Sequence, residues 1–243
     1  MRNWGWIVCG CALFLAVSQS SAETTSTGDS LITPAQIEPG SRHGTDYPPL
    51  AIRRREEGSV TLTLTIDDTG FVSDTIVVQS SGSEQLDVAA QYAALNWHYR
   101  PAMRNHVAVQ SQKQVKLDFS LTGMDVNAYP AIPPLPPREQ TPVVSRQLKD
   151  EGVTMPVRDP AFPMIAFYPP LARRLDLEGQ VVLELTVGKD GLVDSVVLVK
   201  SSGHKLLDFG SELIAAQGHY KPAMRDGQPI VMRLPAVLTY QLK

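Results

Sequence analysis

The sequence predicts an α+β protein made of two copies of one small domain, each a three-stranded antiparallel sheet with two helices on one face. Three observations predict it. The pentapeptide Tyr-Pro-Pro-Leu-Ala occurs at positions 47–51 and again at 168–172. Displacing the chain by 121 positions carries that match on without a gap to the end of the sequence. Within each copy, the hydrophobic spacing switches between helical and alternating in the same order.

The displacement lays Glu57-Gly58 on Glu178-Gly179, Ser80-Ser81-Gly82 on Ser201-Ser202-Gly203, Leu86-Asp87 on Leu207-Asp208, and His98-Tyr99 on His219-Tyr220. Pro101-Ala102-Met103-Arg104 falls on Pro222-Ala223-Met224-Arg225, and Leu117 and Leu121 fall on Leu238 and Leu242. About 29 of roughly 75 aligned positions are identical, far beyond what a shared strand pattern would give. Two units are too few for a solenoid, so the chain reads as a tandem duplication of one domain.

Each element has its own justification. Pro48 and Pro49 sit where a first helical turn needs no N–H, and Leu50-Ala51 lead into Arg53, Arg54 and Arg55, giving a short first helix with a solvated basic face. Val60, Leu62, Leu64 and Ile66 alternate with threonines, the mark of a half-buried strand. Asp67-Asp68-Thr69-Gly70 is a hairpin turn, and residues 72–78 return as the second strand. In the second copy Val181, Leu183, Leu185 and Val187 lead into Gly188-Lys189-Asp190-Gly191, which encodes the same hairpin. Leu86, Ala89, Ala90, Ala93 and Trp97 have helical spacing, with Asp87 in the first turn where the helix dipole favours a negative charge. A proline-containing turn at 99–104 precedes a last strand within 107–121. The unit is helix, strand, strand, helix, strand, an α+β layer. Gly218 stands where the first copy has Trp97, which predicts a weaker helix end in the second copy.

The chain has 243 residues and 43% apolar content, enough for two modest cores of about 75 residues each. Its net charge of -3, with both signs interspersed, lacks the basic stripe of a nucleic-acid binder. Residues 1–22 read as a signal peptide. Met1-Arg2-Asn3 is the charged start, 4–17 an apolar stretch too short for a comfortable bilayer span, and Ser20-Ser21-Ala22 a cleavage site. An uncleaved inner-membrane anchor and a lipoprotein cleaved before Cys11 are the alternatives. Both cysteines, Cys9 and Cys11, lie in this segment, so the exported protein is expected to carry no thiol chemistry.

The remaining boundaries are a disordered leader at 23–46, the first domain at 47–121, a Pro-rich linker at 122–167 and the second domain at 168–243. The leader is polar and aperiodic. The linker holds Pro-Ala-Ile-Pro-Pro-Leu-Pro-Pro at 130–137, which favours polyproline II geometry and a semi-rigid spacer, although its later apolar residues are suited to packing on the second domain. Because each repeat carries a complete set of elements, each is expected to fold on its own.

The order Tyr-Pro-Pro-Leu-Ala, Glu-Gly with alternating strand, Asp-Gly turn, Ser-Ser-Gly, Leu-Asp and aromatic-basic-Pro turn resembles the C-terminal domain of TonB, the periplasmic energy transducer. Both repeats carry it along almost their whole length. The resemblance implies a domain that binds the TonB box, an extended peptide of an outer-membrane receptor, by adding it as a strand to its sheet. It also implies periplasmic residence. Family transducers couple to the ExbB-ExbD motor through a membrane helix with a histidine; residues 4–17 contain none, so that coupling is not expected here.

Ser80, Asp87 and His98, repeated as Ser201, Asp208 and His219, offer the residue types of a hydrolytic triad, but helix capping and turn formation account for them, and no enzyme activity is expected. The five histidines have no metal-ligand spacing, and no cofactor is expected. What remains is backbone chemistry at a sheet edge. Pro235 lies in the last strand of the second repeat, where proline is tolerated mainly at an edge. The peptide-binding edge is therefore placed at Val115, Lys116, Leu117 and Phe119, and at Ala236, Val237, Leu238 and Tyr240. Two functions follow: an adaptor capturing TonB-box-like peptides of outer-membrane receptors or other envelope proteins, or a structural envelope protein whose domains pair with each other or self-associate.

Overall fold

A computed structural model describes residues 32–41, 46–144, 152–161 and 168–242. The signal-peptide reading, Cys9, Cys11 and the apolar residues Phe162, Met164, Ile165 and Phe167 lie outside them. In the first repeat, helix α1 (Pro49–Arg54) precedes strands β1 (Gly58–Ile66) and β2 (Val72–Gln79), helix α2 (Glu84–Leu95) and strand β3 (Ser111–Phe119). The second repeats the series as α3 (Pro170–Arg174), β4 (Gly179–Val187), β5 (Val193–Lys200), α4 (Lys205–Ala215) and β6 (Met232–Tyr240). The sheets are antiparallel, ordered β2-β1-β3 and β5-β4-β6, so each middle strand is the first in sequence. This is the α+β fold with tandem domains that the duplication predicts.

The register is the same in both copies. Gly58 pairs with Phe119 and Ile66 with Ser111, as Gly179 pairs with Tyr240 and Val187 with Met232. Bulges between Thr61 and Leu62 and between Thr65 and Ile66 recur between Val182 and Leu183 and between Thr186 and Val187. Val60, Leu62, Leu64 and Ile66 are fully buried, as alternation requires of one strand face.

The repeated motifs have packing reasons. A Cβ on Gly58 would come within 2.8 Å of the Ser81 carbonyl, and one on Gly179 within 2.9 Å of the Ser202 Cβ, so Glu-Gly and Ser-Ser-Gly are two sides of one close approach. The glutamate before each glycine holds the end of the last strand: the Leu121 N–H donates to Glu57 at 2.5 Å and the Leu242 N–H to Glu178 at 2.6 Å. Gly70 and Gly191 have φ of +91° and +82°, and a Cβ there would lie 1.9 Å from the carbonyl of Tyr99 or Tyr220. Only glycine fits that turn. Gly218 is also crowded, since a Cβ would stand 2.8 Å from the Tyr220 ring; the room that Trp97 fills in the first copy is closed in the second.

Two boundaries differ from the sequence reading. Ile32–Thr33 and Gln36–Ile37, inside the supposed disordered leader, pair antiparallel with Met103, Arg104, Tyr99 and Arg100. Val157–Arg158, inside the supposed linker, pairs with Tyr220–Lys221 in the same way. The Glu38 N–H donates to the His98 carbonyl at 3.0 Å and the Asp159 N–H to the His219 carbonyl at 2.9 Å, again 121 residues apart. The duplicated unit thus begins near residue 32 in one copy and 153 in the other. Only Thr33/Thr154 and Pro39/Pro160 are identical within this added strip, too few for the sequence comparison to extend across it.

The repeats are not beads on a tether. The described residues cluster as one unit, and one contiguous core runs from Leu50, Leu62 and Trp97 to Leu183, Leu207 and Tyr240. Helices α2 and α4 pack on each other, and Tyr92 of α2 lies against Gly210 of α4. Arg53, expected on a solvated face, is 4% exposed: its guanidinium donates to the Val193 carbonyl and to Asp190, both at 2.9 Å, across the junction. Arg54 donates to the Asp194 carbonyl at 2.6 Å, and Lys205 of the second repeat reaches Asp74 and the Thr75 carbonyl of the first. The linker is fastened too, since Arg53 Nε donates to the Pro130 carbonyl and Arg55 to that of Val126.

Candidate peptide-binding edges

Strands β3 and β6 close their sheets on the side away from the junction between repeats. Their side chains alternate. Leu117 and Phe119 are buried and Val115 half-buried, while Lys116 is exposed; Tyr240 is buried, Ala236 and Leu238 half-buried, and Val237 is 56% exposed. Phe119 meets the Tyr47 ring edge-on at 5.6 Å and Tyr240 meets Tyr168 at 5.3 Å, which fastens each last strand to the start of its first helix. The Tyr240 hydroxyl shares a 2.8 Å hydrogen bond with Ser211.

Which backbone groups face outward follows from one contact. The Arg233 N–H donates to the Pro142 carbonyl at 2.8 Å, and the Arg233 carbonyl accepts from the Val144 N–H at 2.9 Å. Both groups of Arg233 thus point away from β4. In an antiparallel strand this direction alternates by residue, so Pro235, Val237 and Thr239 share it. Pro235 has no N–H to offer and stands opposite Glu184 in an uninterrupted ladder, as this phase requires. The identical register carries the phase to the first repeat, where Gln112, Gln114, Lys116 and Asp118 turn their main chain outward. Of the eight residues assigned to the edge from sequence, Lys116 and Val237 present their backbone to it. Val115, Leu117, Phe119, Ala236, Leu238 and Tyr240 turn theirs inward, to the ladder with the middle strand.

The two edges are not alike. Among the described residues no strand pairs with the outer side of β3, whereas a parallel bridge joins Val143 to Arg233 on β6. Arg233 Nε also donates to the Thr141 carbonyl at 3.1 Å, and the Glu184 carboxylate binds Arg233 at 3.2 Å and Arg138 at 2.8 Å.

The residues that resemble a hydrolytic triad are employed otherwise. Asp87 accepts from the hydroxyls of Ser80 and Ser81 at 2.5 and 2.8 Å and from the Ser81 N–H at 2.9 Å, and Asp208 repeats this with Ser201 and Ser202. This ties the Ser-Ser-Gly loop to the helix. His98 Nδ1 lies 2.9 Å from Glu38 instead. Among the described residues no helix is long and apolar enough to cross a membrane.

The family described as Gram-negative bacterial TonB protein C-terminal matches residues 44–121 and 166–242. Protein tonB2 of Pseudomonas aeruginosa is 41% identical over 76 residues, 31% of this chain and 28% of that protein. Protein TonB of Xanthomonas campestris pv. campestris is 33% identical over 75 residues, 31% of this chain and 34% of that one. The solution NMR structure of the Pseudomonas aeruginosa TonB C-terminal domain is similar at 22% identity and a TM-score of 0.29, covering 37% of this chain and 87% of that one. The chain therefore spans about a third or less of the curated relatives it matches. Since the family match covers both repeats and most of the sequence, the chain belongs to the TonB C-terminal family.

Proposed function

We propose that this chain is a periplasmic TonB-like adaptor, exported by a signal peptide at 1–22, that captures extended peptides of outer-membrane receptors or other envelope proteins by strand addition. The observation that carries the reading is the outer edge of β3. There Gln112, Gln114, Lys116 and Asp118 turn their backbones out, and no strand among the described residues pairs with them. Such an edge is a template for another chain, and main-chain hydrogen bonds supply its affinity. Family membership supports the same reading. A photo-crosslinker placed at Gln114 in cells tests it: adducts with TonB-dependent receptors are expected, and adducts only with further copies of this chain would contradict it.

A structural envelope protein is the second reading, favoured by the packing of α2 on α4 and by the Arg53 contacts, through which the two repeats already pair. That pairing uses the side of the sheets bearing β2 and β5. Among the described residues it leaves the outer side of β3 unpaired, so it does not compete with peptide capture.

A further inference from the structure

The two copies differ most where their outer edges begin. On β6 the linker is seated by backbone, charge and apolar contacts at once. The backbone contacts are the two hydrogen bonds of Arg233 with Pro142 and Val144. The charged contacts run through Glu184, which binds both Arg233 and Arg138. For the apolar contact, Val144 packs on a small separate core of Val153, Ala223 and Met232. Thr141 is 4% exposed within this docked segment.

The first repeat keeps Ala102 at the position of Ala223 but lacks the charged and Met232 parts of this seat. The position of Glu184 is Thr63 and that of Arg233 is Gln112, so the charged clamp is not encoded. The position of Met232 is Ser111, whose hydroxyl is buried without a hydrogen-bond partner. Ile32 is 60% exposed where its counterpart Val153, under the linker, is 2% exposed. The second copy thus carries a seat for the linker that precedes it, and the first copy has an edge that no strand among the described residues covers.

We propose that linker residues 141–144 are a built-in occupant of the β6 edge, so that the tandem protein offers one open edge, β3, and one closed edge, which a partner strand reaches only by displacing the linker. The occupant is fixed by the chain itself. It is extended, it crosses only the first part of the strand, and beyond it Pro235 has already removed the next outward N–H. An external strand on β6 therefore meets the linker at Arg233 and a missing donor at Pro235. On β3 the corresponding Gln112 and Gln114 both keep their donors. This places peptide capture in the first repeat and gives the second a holding role. The closure of β6 does not depend on the peptide-capture reading; only its consequence for binding rests on that reading.

Amide hydrogen exchange on the intact chain tests the closure without any ligand. The Arg233 amide is expected to exchange at least about tenfold more slowly than the Gln112 amide, because one is bonded to the linker and the other faces water. In the variant R138A/V144P, which loses the ion pair and the Val144 donor outside both repeats, Arg233 should become as fast as Gln112 with the interior ladder amides unchanged. A synthetic peptide of this chain's residues 138–146, added in trans, should then shift the amide of Arg233 in the variant and leave it unmoved in the wild type. Equal rates at Arg233 and Gln112 in the wild type would overturn the proposal, as would an Arg233 rate indifferent to R138A/V144P. If receptor peptides fail to bind β3 while Arg233 is protected, the adaptor reading falls and the closed edge stands.

Discussion

The Arg53 guanidinium lies 2.9 Å from the Asp194 carboxylate, and the two side chains, from different repeats, are 4% and 0% exposed. The pair is buried where the start of β5 meets α1, and Asp190, in the turn before that strand, lies 2.9 Å from the same nitrogen. Burial pushes the Asp194 carboxyl above its usual range, with Arg53 pulling it back. Taking charges out of water is costly unless they are paired, so removing one partner leaves the other stranded. Arg53→Ala should cost about 3 kcal/mol in denaturant unfolding, whereas Arg53→Met with Asp194→Leu should recover most of that loss. An Arg53→Ala change within about 0.5 kcal/mol of wild type, the range of an ordinary surface substitution, would show that the junction does not depend on the pair.

A second expectation concerns pH. Glu212 of α4 lines an open groove of about 460 Å³ between the repeats, with Glu84, Gln91 and Phe209 among its neighbours. Burial, then the nearby Glu84 and Asp208, pushes its carboxyl up to about 7. A raised folded-state value means the folded protein holds the proton more tightly. Its contribution is fully present below the unfolded value near 4.5 and is lost as pH rises through about 7. Glu212→Gln should therefore match the wild type near pH 4.5 and exceed it at pH 8 by on the order of 2 kcal/mol in denaturant melts. A stability gain that is the same at both pH values would show that Glu212 does not titrate in this way.

Proline substitution separates the two faces of the β3 backbone. Leu117 bonds inward to β1, so Leu117→Pro should break the ladder and cost about 3 kcal/mol or more. Lys116 faces out, and Lys116→Pro should leave folding within about 1 kcal/mol of wild type while weakening peptide capture. Melting curves of the two variants check this. The reverse order would mean that the phase transferred from Arg233 to the first repeat is wrong.

The hairpin glycines give a fourth expectation. Gly191→Ala forces a Cβ to within 1.9 Å of the Tyr220 carbonyl at a positive φ, and should destabilise by about 2 kcal/mol, the scale of a strained backbone position. Gly227→Ala, also at positive φ but with nothing within 4 Å, should cost about 1 kcal/mol, since only the backbone preference is violated. Thermal unfolding of both variants measures the difference.

Much of the fold was legible in the sequence because period and motif repeat twice. Leu62 and Leu64 on one strand face, Gly70 in the turn and Asp87 beneath the Ser-Ser-Gly loop are local signals, and each stands where it was expected. The strip containing Ile32 and Val153 was not legible, since strands of two residues carry no period. Arg53 is one arginine of a basic run, which in sequence reads as a solvated face, and its partner Asp194 is 141 residues away with nothing local to mark it. At the edge, Pro235 marks β6 as an outer strand of its sheet. Alternation alone does not say which residues face outward, so Lys116 and Leu117 were not separable until Arg233 fixed the phase. The linker seat needed Glu184, Arg138 and Arg233 together, three charges from separate parts of the sequence.

Strand addition at the edge of β3 is tested by titrating the intact chain with a TonB-box-like peptide, watched by backbone amide shifts. Saturable shifts are expected at Gln112, Gln114, Lys116 and Asp118, with those amides becoming slow to exchange in the complex. Val237 and Thr239 on the closed edge should move little. The absence of any saturable shift along β3, in a chain whose interior ladder amides remain protected, would contradict it.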